Sequence, residues 1–144
     1  MRRPQKALWR LIDANANRAL EGVRVCEDIV RFHLGSPRIF RHIRALRHAI
    51  AGAVSRLPVN AIHLLRARES RSDIGRRAPA SRVASLEQSL LINFQRAKEA
   101  LRTLEECARL IAPRETARFQ QLRFRLYDLE RDTLLAVVAA VRHR

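Results

Sequence analysis

The sequence predicts an all-α protein, an antiparallel helical bundle of two duplicated helical hairpins related by a pseudo-two-fold axis. Apolar residues recur at steps of three and four through four long segments, and this spacing places them on one face of a helix. A 17-residue stretch beginning at Asn15 is repeated from Asn93, with seven identical positions. The 144 residues, 47% of them hydrophobic, can bury one core, so we expect a single domain over residues 1–144.

The first repeat, residues 8–57, has the pattern of a helical hairpin. A helix is predicted from Gln5 to Leu34 and ends at Gly35, because glycine suits the left-handed conformation that often follows a helix. Ser36-Pro37 matches an N-cap followed by a first-turn proline. A second helix is therefore expected from there to Pro58, and it lies antiparallel to the first.

The second repeat, residues 86–133, follows a shorter helix near Asn60 to Arg66 and a loop over residues 67–81, which is rich in Ser, Gly, Pro and Arg. Ser81 or Ser85 is expected to cap the third long helix, and Pro113 separates it from the last one. The apolar run at residues 134–141 exceeds what one helix face needs. It is expected either to cover the end of the bundle or to form a homodimer surface.

The charge balance indicates an anionic partner. Lys and Arg total 29 against 14 Asp and Glu, a formal net charge of +15, and almost all of the positive charge is arginine. Nucleic acid, an anionic membrane and phosphorylated metabolites all satisfy this sign, although the planar arginine fork favours phosphate. An arginine surplus that reflects base composition alone is the alternative.

The remaining composition predicts a cytoplasmic protein. Cys26 and Cys107 lack any metal-ligand or paired spacing, so we expect buried thiols in a reducing compartment, without a disulfide or zinc. We also expect no signal peptide and no membrane-spanning segment, because no apolar run approaches the required length of about 18 residues.

The repeat preserves polar positions rather than only apolar ones. Six of the seven identities are polar, although neighbouring positions such as Leu20 and Lys98 have changed. A solvated helix face with weak ion pairs is the plain interpretation. The matched positions favour a shared polar site instead. The identical pairs are Asn15/Asn93, Arg18/Arg96, Ala19/Ala97, Glu21/Glu99, Arg24/Arg102, Glu27/Glu105 and Arg31/Arg109.

Our hypothesis from these positions is a phosphate-binding cleft between helices. Glu21 and Glu99 would fix the orientation of its arginines and so reduce the entropy lost on binding. The loop from Arg68 to Gly75 is either a flexible connector or a lid that brings Asp73 or Glu69 to a magnesium ion. The residues placed around the cleft are Asn15, Arg18, Arg47, Asn93, Arg96 and Arg123.

Several motifs together resemble a known family. They are the N-A-N-R-A-L-E-G-V-R string, the Leu46-Arg47-His48 triplet, the segment from Arg68 to Gly75, the N-F-Q-R-A-K-E-A-L-R string and L-R-F-R-L-Y-D-L-E. The chain resembles, from about Leu8 to Glu130, the alternative hydroxymethylpyrimidine-phosphate kinase, the helical domain often fused ahead of thiamine-phosphate synthase. The family commonly has Arg-Asp followed by Asp-Val-Gly, whereas this chain has Arg68-Glu69 followed by Asp73-Ile74-Gly75.

The resemblance implies transfer of the γ-phosphate of ATP, with Mg²⁺, to 4-amino-5-hydroxymethyl-2-methylpyrimidine phosphate in thiamine biosynthesis. No synthase barrel follows in this chain, so we expect a stand-alone copy. For this reaction we expect Asp73 and Glu21 as catalytic residues and Asp73 and Glu69 as metal ligands. The expected substrate- and phosphate-binding residues are Asn15, Arg18, Arg24, Arg47, Arg68, Gly75, Asn93, Arg96, Glu99 and Arg123.

The residues themselves are compatible with such a kinase without naming its substrate. The sequence has no G-x-x-x-x-G-K-[ST] loop, and four glycines cannot furnish a glycine-rich phosphate cradle, so side chains would have to hold the phosphates. A helical module that binds nucleic acid or another polyanion is the competing class, but it does not explain the duplicated Asn and Glu. A non-catalytic partner of a separate thiamine-phosphate synthase is a third interpretation.

Overall fold

A computed structural model describes residues 2–143, and every regular element in that range is helical. The predicted all-α class is therefore confirmed. The helices are α1 (Arg3–Ile29), α2 (Pro37–Ser55), α3 (Ala61–Ala67), α4 (Leu86–Ile111) and α5 (Thr116–Arg142).

Three helices begin where a side chain satisfies a free backbone N–H. The Ser36 hydroxyl accepts a hydrogen bond from the Ile39 N–H at 3.3 Å to begin α2, and the Asn60 side chain caps α3 in the same way. The Ser85 hydroxyl accepts from the Gln88 N–H at 3.0 Å, so Ser85 rather than Ser81 caps α4. The irregular segment consequently extends beyond the predicted loop 67–81, up to residue 84.

The end of the first helix differs from the prediction. The α-helical part stops at Ile29, and Val30–Leu34 continues as one π-helical turn. The Gly35 N–H donates to the Val30 carbonyl at 2.8 Å, and Gly35 has the expected left-handed conformation with φ of 69°. The periodicity of apolar residues cannot reveal a single wider turn, because one turn shifts too few side chains to change the pattern.

The bundle is organised around the pairing of α1 with α4, the most extensive helix contact. α2 packs against α1 and α5, α5 also packs against α4, and α3 lies against α1. One continuous apolar core results. Its largest fully buried side chains are Ile12, Val23, Ile39, Ile43, Leu46, Ile50, Leu90, Phe94, Leu101, Leu104, Phe119 and Leu126.

The two repeats make matching contacts. The Asn15 and Asn93 amides each donate to the carbonyl four residues earlier, at 2.9 and 2.8 Å. Each repeat also ties its two long helices together by a buried glutamate and an arginine, described below. These contacts support the duplicated hairpin, whereas the exact pseudo-two-fold axis stays a prediction.

The C-terminal apolar run serves the bundle only in part. Leu134 and Val137 pack against the core, whereas Leu135 and Val141 are 61% and 65% exposed. Covering the end of the bundle therefore accounts for one side of this helical stretch, and the homodimer stays a prediction. No helix between residues 2 and 143 has the length and apolar character needed to cross a membrane.

The two cysteines are free and buried. Burial raises the pKa of the Cys26 thiol far above its ordinary value, with the nearby charge of Glu130 acting in the same direction. The pKa of Cys107 is also raised by burial. Both thiols are thus held in the neutral, unreactive form.

Gly22 is expected to be essential to the close approach of α1 and α4. A Cβ at Gly22 would lie 3.0 Å from the Asn93 carbonyl oxygen and 3.4 Å from the Ala97 Cβ, so added atoms would force the helices apart. We expect Gly22→Val to lower the free energy of unfolding by about 1–3 kcal/mol, measured by urea denaturation.

Gly52→Ala is the matched control for this prediction. A Cβ at Gly52, also inside a helix, would meet nothing within 4 Å. Alanine should therefore raise the free energy of unfolding by about 0.5–1 kcal/mol through its higher helix propensity. An equal free energy of unfolding for the Gly22→Val variant and the unmodified protein would contradict this prediction. It would show that α1 and α4 can move apart without loss of stability.

Candidate phosphate-binding site

A cleft of about 230 Å³ lies between α1 and α4, and we call it the central cleft. Both repeats contribute to it, since Arg18 comes from the first and Arg96 from the second. Four of the predicted site residues are thereby brought together. The lining residues are Arg18, Glu21, Gly22, Val25, Asn93 and Arg96.

Helical spacing and one glycine produce this cleft. Arg18, Gly22 and Val25 follow one another at steps of four and three, so they share a face of α1, and Asn93 and Arg96 share a face of α4. Because Gly22 has no side chain, the α4 backbone at Asn93 comes close to α1. The residues on either side of this contact line a shallow groove on the surface of the bundle.

Arg18 and Arg96 both line the central cleft and have no carboxylate partner within residues 2–143. The absence of a partner in this range is also true of other exposed arginines such as Arg31 and Arg125. Arg24, Arg47, Arg56, Arg68, Arg102, Arg109, Arg118, Arg123 and Arg131 all form ion pairs in this range. Both unpaired side chains are exposed at the cleft. Two guanidinium groups with free donors in one groove form a site suited to a phosphate dianion.

Arg47 and Arg123 are engaged elsewhere. Glu27 accepts from the Arg47 Nε at 2.5 Å and from its Nη2 at 3.2 Å, and Glu105 accepts from the Arg123 Nε at 2.9 Å. Both glutamates are buried. Among the described residues, the lining of the central cleft includes neither arginine, so their phosphate-binding role stays a prediction.

The Glu27–Arg47 pair is held in its charged form. Burial acts to raise the pKa of Glu27, but the hydrogen bond and charge of Arg47 outweigh it and bring the pKa below its ordinary value. The pKa of Arg47 is raised by the same hydrogen bond. Within the repeat, the buried carboxylates that brace arginines are Glu27 and Glu105. The repeat contains both, but the predicted site did not include them.

Three other predicted residues do not line the central cleft. The buried Asn15 side-chain amide donates a hydrogen bond to the Leu11 carbonyl oxygen. Glu99 accepts a hydrogen bond from the Gln95 amide at 3.0 Å. Arg24 is half-exposed and lies 3.6 Å from Asp28. Their predicted roles in binding are not tested by this geometry.

A second cleft of about 190 Å³ lies between α1 and the segment after α3, and we call it the acidic cleft. The segment after α3 closes it, because Arg68 donates to both oxygens of Asp13 at 2.7 Å. This contact raises the pKa of Arg68. The lining residues are Arg10, Asp13, Ala14, Asn17, Arg68, Glu69, Ser70 and Asp73.

The predicted metal ligands both line the acidic cleft. Glu69 is bonded to Lys6, whose hydrogen bond and charge lower the pKa of the carboxyl. Asp73 accepts from the Gly75 N–H at 2.8 Å, which places Gly75 in an exposed turn. Residues 2–143 contain no group of three or more His, Cys, Asp or Glu side chains placed to hold a metal. The predicted site did not include Asp13, because its position on a helix gives no sign of a partner in the loop.

Comparison with known proteins identifies the family. The profile of the ThiD2 family matches residues 10–132, which include both clefts. The chain belongs to the ThiD2 family. Residues 10–132 contain every lining residue of the central cleft, so the ThiD2 match extends over the whole phosphate-binding candidate.

Relatives of this ThiD2 family member carry the name thiamine-phosphate synthase. That of Synechocystis sp. is 36% identical over 127 residues, which are 86% of this chain and 35% of the relative. That of Synechococcus sp. strain CC9605 is 37% identical over 134 residues, 92% of this chain and 37% of the relative. That of Rhodopirellula baltica is 30% identical over 130 residues, 88% of this chain and 34% of the relative.

The chain spans about a third of the length of these relatives. No solved structure matches the chain significantly.

Loss of either unpaired arginine should weaken anion binding. We expect Arg18→Ala and Arg96→Ala each to raise the Kd for inorganic pyrophosphate about 10- to 100-fold, because each removes charged donors from the central cleft. Isothermal titration measures the Kd, and circular dichroism checks the fold. Arg125→Ala is the control. Arg125 is exposed on α5, so this substitution removes one positive charge at a position outside the central cleft. Unchanged affinity in both cleft variants would refute the assignment.

Protonation of Glu27 should destabilise the fold at low pH. A carboxyl whose folded pKa is lowered contributes stability that is present above its ordinary pKa of 4.5 and lost as the pH falls through the folded value. We expect Glu27→Gln to reduce the free energy of unfolding by about 1–3 kcal/mol at pH 7. The difference from the unmodified protein should shrink as the pH falls below that ordinary pKa.

Urea denaturation at a series of pH values measures this difference. Glu106→Gln is the control, because Glu106 forms only surface ion pairs with Arg102 and Arg109 and should change the free energy by less than about 0.5 kcal/mol. A difference for Glu27→Gln that is the same at pH 3 and pH 7 would show that the carboxylate charge does not stabilise the fold.

Proposed function

We propose that the chain is a kinase that transfers the γ-phosphate of ATP to 4-amino-5-hydroxymethyl-2-methylpyrimidine phosphate, in the pathway that makes thiamine. The observation that carries this proposal is the convergence of Arg18 and Arg96, one from each repeat and both without a carboxylate partner among the described residues, on one cleft. Membership of the ThiD2 family and relatives named thiamine-phosphate synthase support the thiamine pathway.

The chemistry explains why two arginines are needed. An oxygen of the pyrimidine monophosphate attacks the γ-phosphorus of ATP, the bond from that phosphorus to the oxygen bridging the β- and γ-phosphates breaks, and ADP leaves. Donor and acceptor are both anions and repel each other. Arg18 and Arg96 offset this repulsion and align the two groups, and such positioning and charge stabilisation supply most of the catalysis of phosphoryl transfer.

The attacking group also limits what the carboxylates must do. A phosphate monoester with a second pKa of about 6 is mostly a dianion at neutral pH, so its attacking oxygen carries no proton to remove. The roles of Glu21 and Asp73 in this proposal are to orient arginines and to hold metal rather than to act as general bases. Glu21 lines the central cleft, where it can orient a guanidinium group.

The acidic cleft has the donors that a magnesium ion bound to phosphates requires. Mg²⁺ prefers oxygen ligands and in kinases takes one or two carboxylates, with phosphate and water completing its shell. Asp73 and Glu69 would hold it, and Glu69 would then release Lys6. The bound ion would neutralise charge on the β- and γ-phosphates of ATP. Asn17 of the acidic cleft directly precedes Arg18 of the central cleft in sequence, so both clefts are lined by α1.

A non-catalytic role beside thiamine-phosphate synthase is the second candidate. The observation that favours it is that the relatives contain the matched segment within chains about three times as long. In that case the matched segment would serve the synthase as a partner domain, and the central cleft would bind a phosphorylated ligand without turning it over.

An assay for ADP release separates these functions. With ATP and Mg²⁺ we expect ADP to form only when the pyrimidine phosphate is present, in a 1:1 ratio with its diphosphate. Arg96→Ala should reduce kcat/KM at least about 100-fold, and Arg125→Ala should not. Absent or substrate-independent turnover would refute the kinase. Saturable ligand binding that persists without turnover supports the non-catalytic partner, whereas non-saturable binding that falls steeply with salt is typical of a polyanion surface.

A further inference from the structure

A third cleft, of about 410 Å³, borders the central cleft on the side of α4, and we call it the apolar cleft. Leu91 and Ile92 supply its apolar surface, and Leu91 is 48% exposed. Arg96 lines both this cleft and the central one, so a ligand in the apolar cleft can extend to the phosphate-binding arginines. The lining residues are Leu91, Ile92, Gln95, Arg96, Lys98 and Glu130.

Three residues of the apolar cleft occupy positions in the second repeat that match three residues of the acidic cleft in the first. The offset between the repeats is 78 residues, as in Arg18 and Arg96. It relates Asp13, Ala14 and Asn17 of the acidic cleft to Leu91, Ile92 and Gln95 of the apolar cleft. Matching positions of the two repeats therefore line two clefts that differ in chemistry.

One carboxylate oxygen of a residue that lines the apolar cleft has no hydrogen-bond donor among the described residues. Lys98 donates to one oxygen of Glu130 at 2.8 Å, so the charges of these two residues compensate each other. The other Glu130 oxygen is buried and has no hydrogen-bond partner within residues 2–143. Buried acceptors without a partner are uncommon and require an explanation. A ligand amino group can supply the missing donor if the partly exposed Glu130 carboxylate rotates toward the cleft.

We infer that the apolar cleft binds the planar nitrogen heterocycle of a phosphorylated ligand, with the phosphates of that ligand directed to Arg96. Adenine and the aminopyrimidine share this chemistry, since both are flat rings bearing an amino group. This inference rests on the proposed kinase function. Leu91 and Ile92 contact the ring face, and Glu130 accepts from the amino group. Sites of this kind combine an apolar surface with a few polar groups that fix orientation.

The test compares ligands with and without a ring. The Leu91→Ala, Ile92→Ala double variant should raise the Kd for ATP with Mg²⁺ or for the pyrimidine phosphate about tenfold, because it removes apolar contact with the ring. The ligand that weakens identifies which ring occupies the cleft. Binding of inorganic tripolyphosphate, which has no ring, should be unchanged in this variant and weakened at least tenfold in Arg96→Ala.

Leu110→Ala is the control, because Leu110 is 75% exposed near the other end of the same helix and lines none of the three clefts. It should leave all three affinities unchanged. Equal weakening of tripolyphosphate and the ring-bearing ligands in the double variant, with the fold intact by circular dichroism, would overturn the inference. Unchanged affinity for both ring-bearing ligands would also overturn it.

These outcomes are distinct from failure of the proposed function. If the chain releases no ADP but the double variant loses affinity only for a ring-bearing ligand, then the apolar cleft is a ring site in a protein without kinase activity. If ADP release is substrate-dependent and the double variant retains the KM of the unmodified protein for both ligands, then the kinase function stands and the cleft assignment is wrong.

Discussion

The close packing of α1 on α4 is the constraint on which the rest of the structure depends. Gly22 meets the α4 backbone at Asn93 and the small side chain of Ala97, and Ala19 and Ala97 are completely buried. Small residues at this crossing allow the two helices to approach until the arginines that flank it share one groove. A wider separation would leave Arg18 and Arg96 as two independent surface charges, each worth little in high-dielectric solvent.

Buried ion pairs complete this arrangement by tying each hairpin together. Glu27 of α1 holds Arg47 of α2, and Glu105 of α4 holds Arg123 of α5. Removing one partner from such a pair would leave a charge in the interior, so the pairs favour one helix register over its alternatives. The arginines bonded in this way stabilise the scaffold. Among the repeated arginines, Arg18 and Arg96 line the central cleft and have no carboxylate partner within residues 2–143. The repeated arginines that form ion pairs are Arg24, Arg102 and Arg109.

The sequence predicted the fold well because local rules dominate in a helical bundle. Apolar periodicity and the signals at Ser36 and Gly35 placed α1 and α2 correctly, and the repeat carried the same pattern to α4 and α5. The π-helical turn was missed, since it depends on one hydrogen bond rather than on composition. The site was less predictable because ion pairs such as Asp13 with Arg68 join residues 55 positions apart, a distance that helix periodicity does not address.

Divergence between the two repeats gives the duplicated scaffold a use that an exact copy would lack. Two identical halves would create two identical clefts beside the central arginines, suited to two molecules of one ligand. In this chain Arg18 and Arg96 are identical in the two repeats. Asp13 and Ala14 of the first repeat are replaced by Leu91 and Ile92 at the equivalent positions of the second. Phosphoryl transfer between two different molecules requires a shared anion site with unlike flanks, because donor and acceptor have phosphate in common and differ elsewhere. In the proposed kinase, the matched Arg18 and Arg96 would lie where the ligands are alike, and the changed cleft positions would lie where the ligands differ.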